Sequence, residues 1–198
     1  MNAYNLMPDK IKSIIRDTIK SIRKQLPTDY QQRISKQVCK RVSYIDEYRQ
    51  AKHIALYMHA NGEVDLRSLW EKAPLQGKFC YFPCLNPDKS LTFLPATPRS
   101  EFKENQYGIL EPYVDREKAI HPEDLDLVLM PLVGFDSRGN RLGMGAGYYD
   151  RTFENIKGPL MLGIAYEFQH QPYIPSQDWD VALNAVITEK KVYWANLA

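Results

Sequence analysis

At 198 residues, with 44% hydrophobic and 25% charged side chains, the chain suits one domain with a full hydrophobic core and has the composition of an ordinary soluble protein. Its formal net charge of +2 excludes a global field directed at nucleic acid. No apolar run approaches the length of a bilayer span, and the charged N-terminus lacks the apolar core of a secretory signal. The cysteines Cys39, Cys80 and Cys84 form no paired framework, which points to a reducing compartment, the cytoplasm. No second Cys/His pair completes a metal site around Cys80 and Cys84, so both read as buried thiols.

Lys10 to Leu26 reads as a helix, because Ile11, Ile14, Ile15, Ile19, Ile22 and Leu26 recur on one face at helical spacing. Pro27 stops it. The other face carries Lys12, Arg16, Lys20 and Arg23, cations that are either solvated or reach a polyphosphate. A second helix is predicted over Asp29 to Arg49, with Thr28 as N-cap and Ile34, Val38, Val42 and Ile45 inward. His53 to Met58 reads as a buried strand, followed by an Asn61-Gly62 turn and a short helix over Leu66 to Lys72. Strands follow at Phe79 to Phe82 and Leu91 to Leu94, separated by the turn Asn86-Pro87-Asp88. Pro95 to Pro122 lacks periodicity and reads as a long ordered loop, packed through Phe102, Tyr107 and Tyr113. Then come a buried strand over Leu125 to Leu132, a helix over Tyr148 to Asn155, and strands at Leu160 to Ala165 and Ala185 to Thr188. Strands alternating with helices give an α/β fold with a mostly parallel sheet over residues 1–198, with no linker or internal repeat.

Ligands of such sheets bind outside the carboxyl ends of strands. Two segments fall there: His59 to Glu63, and the run Arg141-Leu142-Gly143-Met144-Gly145-Ala146-Gly147-Tyr148-Tyr149-Asp150. Alternating glycines let backbone N–H groups approach an anion, and the helix that follows would aim its first amides the same way. The plainer reading is a Gly-rich connection with two packed tyrosines. The run is neither a Walker A loop nor the dinucleotide fingerprint. Arg141 can offer a fork to phosphate oxygens or simply close the turn at Asp136 to Asn140. Asp150 and Asp180 could together hold magnesium on a nucleotide, or act as helix-terminal and turn carboxylates. Glu63 could accept N–H groups of a heterocycle or stand as an exposed acid, and Met58 belongs to a pocket wall or to the core. The four histidines show no ligand spacing, and no Gly-x-Ser-x-Gly is present, so a metal or serine hydrolase is unsupported.

Met130 to Asp136 and Gly139 to Asp150 together resemble the signature block of the 5-formyltetrahydrofolate cyclo-ligases, also called 5,10-methenyltetrahydrofolate synthetases. Weaker matches in the same order are the basic N-terminal helix, Met58 with Gly62-Glu63, Gly108-Ile109-Leu110-Glu111-Pro112, and Trp179-Asp180 with the strand to Thr188. The resemblance covers essentially the whole chain. It implies a three-layer Rossmann-like fold, similar to sugar-phosphate isomerases and CoA transferases. It implies conversion of 5-formyltetrahydrofolate and ATP to 5,10-methenyltetrahydrofolate, ADP and phosphate, with Mg2+. It further implies that Lys12 and Arg16 contact ATP phosphates and that Arg141, Leu142, Gly143, Met144, Gly145, Ala146, Gly147, Tyr148 and Tyr149 form the nucleotide turn. Arg141, Lys12 and Arg16 would serve catalysis. Met58, Glu63 and Met144 to Tyr148 would face folate, and Asp150 and Asp180 would hold Mg2+. The partners implied are small molecules only, with no nucleic acid and no membrane, and the protein is expected to be a monomer. Many relatives carry a cation where this chain has Met144 or Ala146, which leaves charge stabilisation to Arg141, Lys12, Arg16 and metal. Some carry an aspartate at Asn184, which is given no metal role. The alternative is a non-catalytic nucleotide- or folate-binding module of the same fold.

Overall fold

A computed structural model describes the backbone of residues 3–195 and the side chains of residues 9–195. Seven strands form one mixed sheet in the order β11-β10-β9-β6-β1-β2-β3. They are β1 (His53–Ala55), β2 (Phe79–Leu85), β3 (Leu91–Pro95), β6 (Leu127–Pro131), β9 (Leu160–Ile164), β10 (Ala185–Ile187) and β11 (Val192–Trp194). The central strands β2, β1, β6, β9 and β10 pair in parallel, and only the edges β3 and β11 are antiparallel. Two small hairpins stand beside it: β4 (Phe102–Glu104) with β5 (Leu110–Pro112), and β7 (Gly134–Phe135) with β8 (Arg141–Leu142).

Strand β6 shows why the sheet is covered on both sides. Leu127 and Leu129 pack into one buried cluster, Val128 and Met130 into a second. Alternate side chains leave opposite faces of a strand, so an unbroken apolar run fits a strand with no wet face. The first cluster is closed by α2 (Thr28–Tyr44), α3 (Asp46–Gln50) and α4 (Arg67–Trp70), the second by Phe153 of α5 (Tyr148–Phe153). Gly163 sits where these elements crowd together: a Cβ there would lie 2.6 Å from Leu183 and 2.7 Å from Leu132. No helix of the described residues is long and apolar enough to cross a membrane.

Several sequence expectations change in detail. The predicted second helix is two, broken at Ile45, whose ψ of 142° is extended. The break turns Tyr48 into the core, where it is 2% exposed. Tertiary burial here outweighs helical continuity. Thr28 is the first helical residue, and the cap position belongs to Pro27, with no side-chain hydrogen bond. Strand β1 pairs only through Ala55, although Leu56 N–H still reaches the Tyr81 carbonyl at 2.8 Å. The long loop contains the β4–β5 hairpin, fixed by edge contacts of Phe102 with Trp70 and Phe82 and by the buried Glu111, which accepts from Leu85 N and Asn105 Nδ2. Strand β11 was not anticipated.

The largest correction concerns α1 (Ala3–Gln25). Ile19 and Arg23 are buried and Lys12, Ile15 and Arg16 half-buried, whereas Ile11, Ile14 and Ile22 are exposed. The helix therefore docks on the boundary between its apolar and cationic arcs. Part of the apolar face looks outward, and the basic face turns inward rather than being solvated. The reason lies in what it docks against, a cavity lined by charged and apolar groups alike rather than the core alone.

Candidate functional site

The site lies outside the carboxyl ends of β1 and β6, as parallel α/β sheets dictate. The chain leaves β6, crosses the β7–β8 hairpin, and enters the Gly run. One buried carboxylate holds that hairpin. Asp136, 1% exposed, accepts from Arg138 N and Nη2, Asn140 N and Nδ2, and Ile174 N at 2.9–3.2 Å. Burial pushes its carboxyl up, but these donors outweigh burial and hold it below the usual value of 3.8. A depressed carboxyl stabilises the fold above its unfolded pKa and loses that contribution as pH falls through the folded one. Asp136→Asn is therefore expected to cost about 2–3 kcal/mol at neutral pH, a charge-assisted network being lost. The difference from the native chain should shrink below about pH 3.8 in chemical unfolding. A pH-independent difference would assign the loss to packing instead.

Within the run, Gly145 has φ +102° and Gly147 +74°, backbone conformations that L side chains rarely adopt. A Cβ on Gly145 would stand 3.6 Å from the Arg16 guanidinium. Arg16 Nε donates to the Gly143 carbonyl at 2.9 Å, so α1 braces the run directly. The run closes one wall of a cavity of about 1010 Å³. Lys12, Arg16, Met58, Glu63, all of Arg141 to Asp150, and Asp180 line it. Every site residue singled out from the sequence thus borders one space, although α1 and Asp180 lie 168 positions apart at their contact.

Two of the cations in this space, Arg141 and Lys12, are already paired with carboxylates. Arg141, its side chain 6% exposed, donates through Nη2 to Asp150 at 2.6 Å and through Nη1 to the Val181 carbonyl. Asp150 also accepts from Val181 N at 3.0 Å, which brings it beside the segment carrying Asp180. Asp180 accepts from Gln177 N at 2.9 Å and faces Lys12 Nζ at 3.5 Å. Two carboxylates each holding a cation fit a site built to receive positive charge. Among the described residues no group of three or more His, Cys, Asp and Glu side chains comes together. That donor set suits a magnesium ion carried on a nucleotide, which takes one or two carboxylates and completes its shell with phosphates and water.

At the floor, Glu63 follows the Asn61-Gly62 turn and is not the exposed acid of the plainer reading. Its Oε2 accepts from Ala60 N at 3.0 Å, and its Oε1 lies 3.9 Å from Arg23. Burial raises its carboxyl above the ordinary 4.5, opposed by the Arg23 charge and the Ala60 amide. The Tyr149 hydroxyl, buried beside it, has no hydrogen-bond partner among the described residues. Sequence reasoning missed other lining residues. Lys89, Asn105, Tyr107, Arg151, Glu154 and Trp179 also border the cavity. The hairpin tip at Tyr107-Gly108 carried a turn signal but no sign of which way it faces. Asn184 lies outside the lining and accepts from Met161 N at 2.8 Å, joining strands. Burial pushes the thiols up, Cys39 to about 11 and Cys80 and Cys84 to about 12, so none is an activated nucleophile.

Comparison with known proteins bears on this geometry. Residues 8–189 match the model of a family described as the 5-formyltetrahydrofolate cyclo-ligase family. A 5-formyltetrahydrofolate cyclo-ligase of Haemophilus influenzae is 39% identical over 173 residues, covering 85% of this chain and 92% of the relative. The cyclo-ligase of Escherichia coli K12 is 35% identical over 179 residues, covering 88% and 98%. Among solved structures, the 5,10-methenyltetrahydrofolate synthetase of Aquifex aeolicus superposes with a TM-score of 0.83 at 32% identity, covering 95% of this chain and 94% of that one. The synthetase of Mycoplasma pneumoniae gives 0.73 at 26%, covering 90% and 98%.

Proposed function

This chain belongs to the 5-formyltetrahydrofolate cyclo-ligase family, and from that premise we propose that its cavity joins 5-formyltetrahydrofolate to ATP and releases 5,10-methenyltetrahydrofolate, ADP and phosphate. The observation that carries the reading is the convergence of Lys12, Arg16, Arg141, the Gly run, Glu63, Asp150 and Asp180 on one cavity. An N-formyl oxygen is a poor leaving group. It attacks the γ-phosphorus, and the bond to the β-bridging oxygen breaks to give ADP. The N10 amine then attacks the formyl carbon, loses its proton, and the phosphorylated oxygen departs as phosphate. Such chemistry needs positioning and charge neutralisation more than covalent help.

In this reading the amides of Gly143 to Tyr149 cradle phosphate oxygens, and Arg141, Lys12 and Arg16 neutralise them. Asp150 and Asp180 would hold Mg2+, which when bound offsets charge on the transferred group. On nucleotide binding Lys12 and Arg141 would turn from the carboxylates to phosphate oxygens, leaving Asp150 and Asp180 as the residues that would hold the metal. Glu63 accepts N–H groups of the pterin, Met58 and Met144 to Tyr148 border it, and Tyr148 packs on a flat surface. The fold reads as a three-layer Rossmann-like sheet and the protein as a cytoplasmic monomer acting on small molecules.

Absorbance at the methenyl band tests the reaction. A rise is expected only with 5-formyltetrahydrofolate, ATP and Mg2+ together, and binding of ATP without any rise would favour a non-catalytic module. Asp150→Asn keeps an acceptor for Arg141 and Val181 but loses charge. The Mg2+ concentration for half-maximal rate should climb about tenfold or more, the loss of one charged ligand. An unchanged Mg2+ titration removes Asp150 from the metal.

A further inference from the structure

The most unusual side chain outside the cavity wall is Arg23. It is 1% exposed, and its Nε and Nη2 have no hydrogen-bond partner among the described residues. Its polar neighbours are the Leu132 carbonyl at 3.4 Å and Glu63 at 3.9 Å. A buried guanidinium with donors unmet is costly, and an apolar residue of similar size would often be neutral or better for the fold alone. The turn that presents Glu63 is pressed against the same residue. Gly62 has φ +72°, and a Cβ there would meet the Arg23 carbonyl oxygen at 3.0 Å and the Arg23 Cβ at 3.3 Å. Backbone and side chain of Arg23 thus both support Glu63, from the helix whose earlier turns carry Lys12 and Arg16.

We propose that Arg23 is a positioning residue for Glu63, pairing with its carboxylate from beneath the cavity floor so that α1 ties the heterocycle end of the site to the phosphate end. The two ends stand roughly 16 Å apart along the helix, eleven residues at about 1.5 Å each. The inference rests on the reading of Glu63 as the group that recognises the pterin. The groups facing Glu63 from other elements are Tyr57, Tyr149 on α5, and Tyr166, whose hydroxyl donates to the Glu63 carbonyl at 3.5 Å. Burial raises all three phenols, Tyr166 to about 12, so none ionises near neutrality. Arg141, also in the cavity wall, is engaged by Asp150. Arg23 is therefore the charge that opposes the burial of Glu63.

Arg23→Met and Arg23→Lys test this, with Glu63→Gln as reference. For Arg23→Met, KM for 5-formyltetrahydrofolate should rise about tenfold, the scale of one charged contact, with KM for ATP changed less than about twofold. The acid limb of kcat/KM for folate should also move to higher pH, because only the Ala60 amide then opposes the burial of Glu63. Arg23→Lys should restore both. A lowered melting temperature without the split in KM or the displaced limb would overturn the proposal and make Arg23 structural. If Glu63→Gln leaves the folate KM unchanged, the reading of Glu63 fails first and the proposal falls with it. Should Arg23→Met not fold, NMR titration of the wild-type protein decides: the Glu63 carboxyl carbon and the Arg23 Nε should share one midpoint, and an unresponsive Arg23 overturns the coupling.

Discussion

Arg141→Ala is expected to lower kcat by roughly 10²- to 10³-fold, the usual cost of removing one preorganised donor from a developing charge. It should cost the fold far less. Arg141 is nearly buried, but its partner Asp150 keeps 27% of its side chain exposed and retains the Val181 amide, so water can resolvate the abandoned carboxylate. A loss of about 1–2 kcal/mol, at roughly 2–4 °C per kcal/mol for a chain of this size, lowers the melting temperature by only a few degrees. Turnover by methenyl absorbance and thermal unfolding measured on one preparation separate the two effects. Arg141→Lys keeps the charge without the planar fork and should fall between. A lowered melting temperature with normal specific activity would reduce Arg141 to a residue that closes the β7–β8 hairpin.

What could be read from the sequence was local. Alternating glycines mark a backbone free of side-chain constraint, and Gly145 takes a φ of +102° that L side chains rarely adopt. The apolar run of β6 announced a strand covered on both faces. Less legible was anything set by docking. The period of α1 revealed two arcs, but not that the helix would rest on their boundary and leave Ile14 57% exposed while burying Arg23. Periodicity gives the angle between side chains and says nothing about which direction is the core. Short elements were lost for another reason: three-residue strands such as β4, β5 and β11 are too brief for alternation to show. The ion pairs were not legible either. Lys12 meets Asp180 across 168 residues, and only the fold brings an early cation to a late carboxylate.

Glu63→Gln is expected to raise KM for 5-formyltetrahydrofolate about 10- to 100-fold, the cost of one charge-assisted acceptor set, with KM for ATP nearly unchanged. The pH dependence gives a second reading of the same residue. Burial raises the Glu63 carboxyl, so acidification protonates it earlier than an exposed glutamate and the native enzyme should lose folate affinity on that acid limb. Glutamine does not titrate, and the limb should disappear. Persistence of the limb in Glu63→Gln would assign it to substrate or another group. Stability runs the other way. A carboxyl whose folded pKa is raised contributes stability that is fully present below its unfolded value and is lost as pH rises through the folded one. The ionised form of Glu63 therefore carries a cost to the fold, and the burial of Arg23 adds a further one. Replacing both, Arg23→Met with Glu63→Gln, exchanges a loose buried pair for neutral groups, a change that is often neutral or stabilising by about 1–4 kcal/mol. The double variant should unfold no more easily than the native chain while binding folate poorly. If it is instead strongly destabilised, the pair exists for the fold, and recognition of the pterin must be sought elsewhere in the cavity.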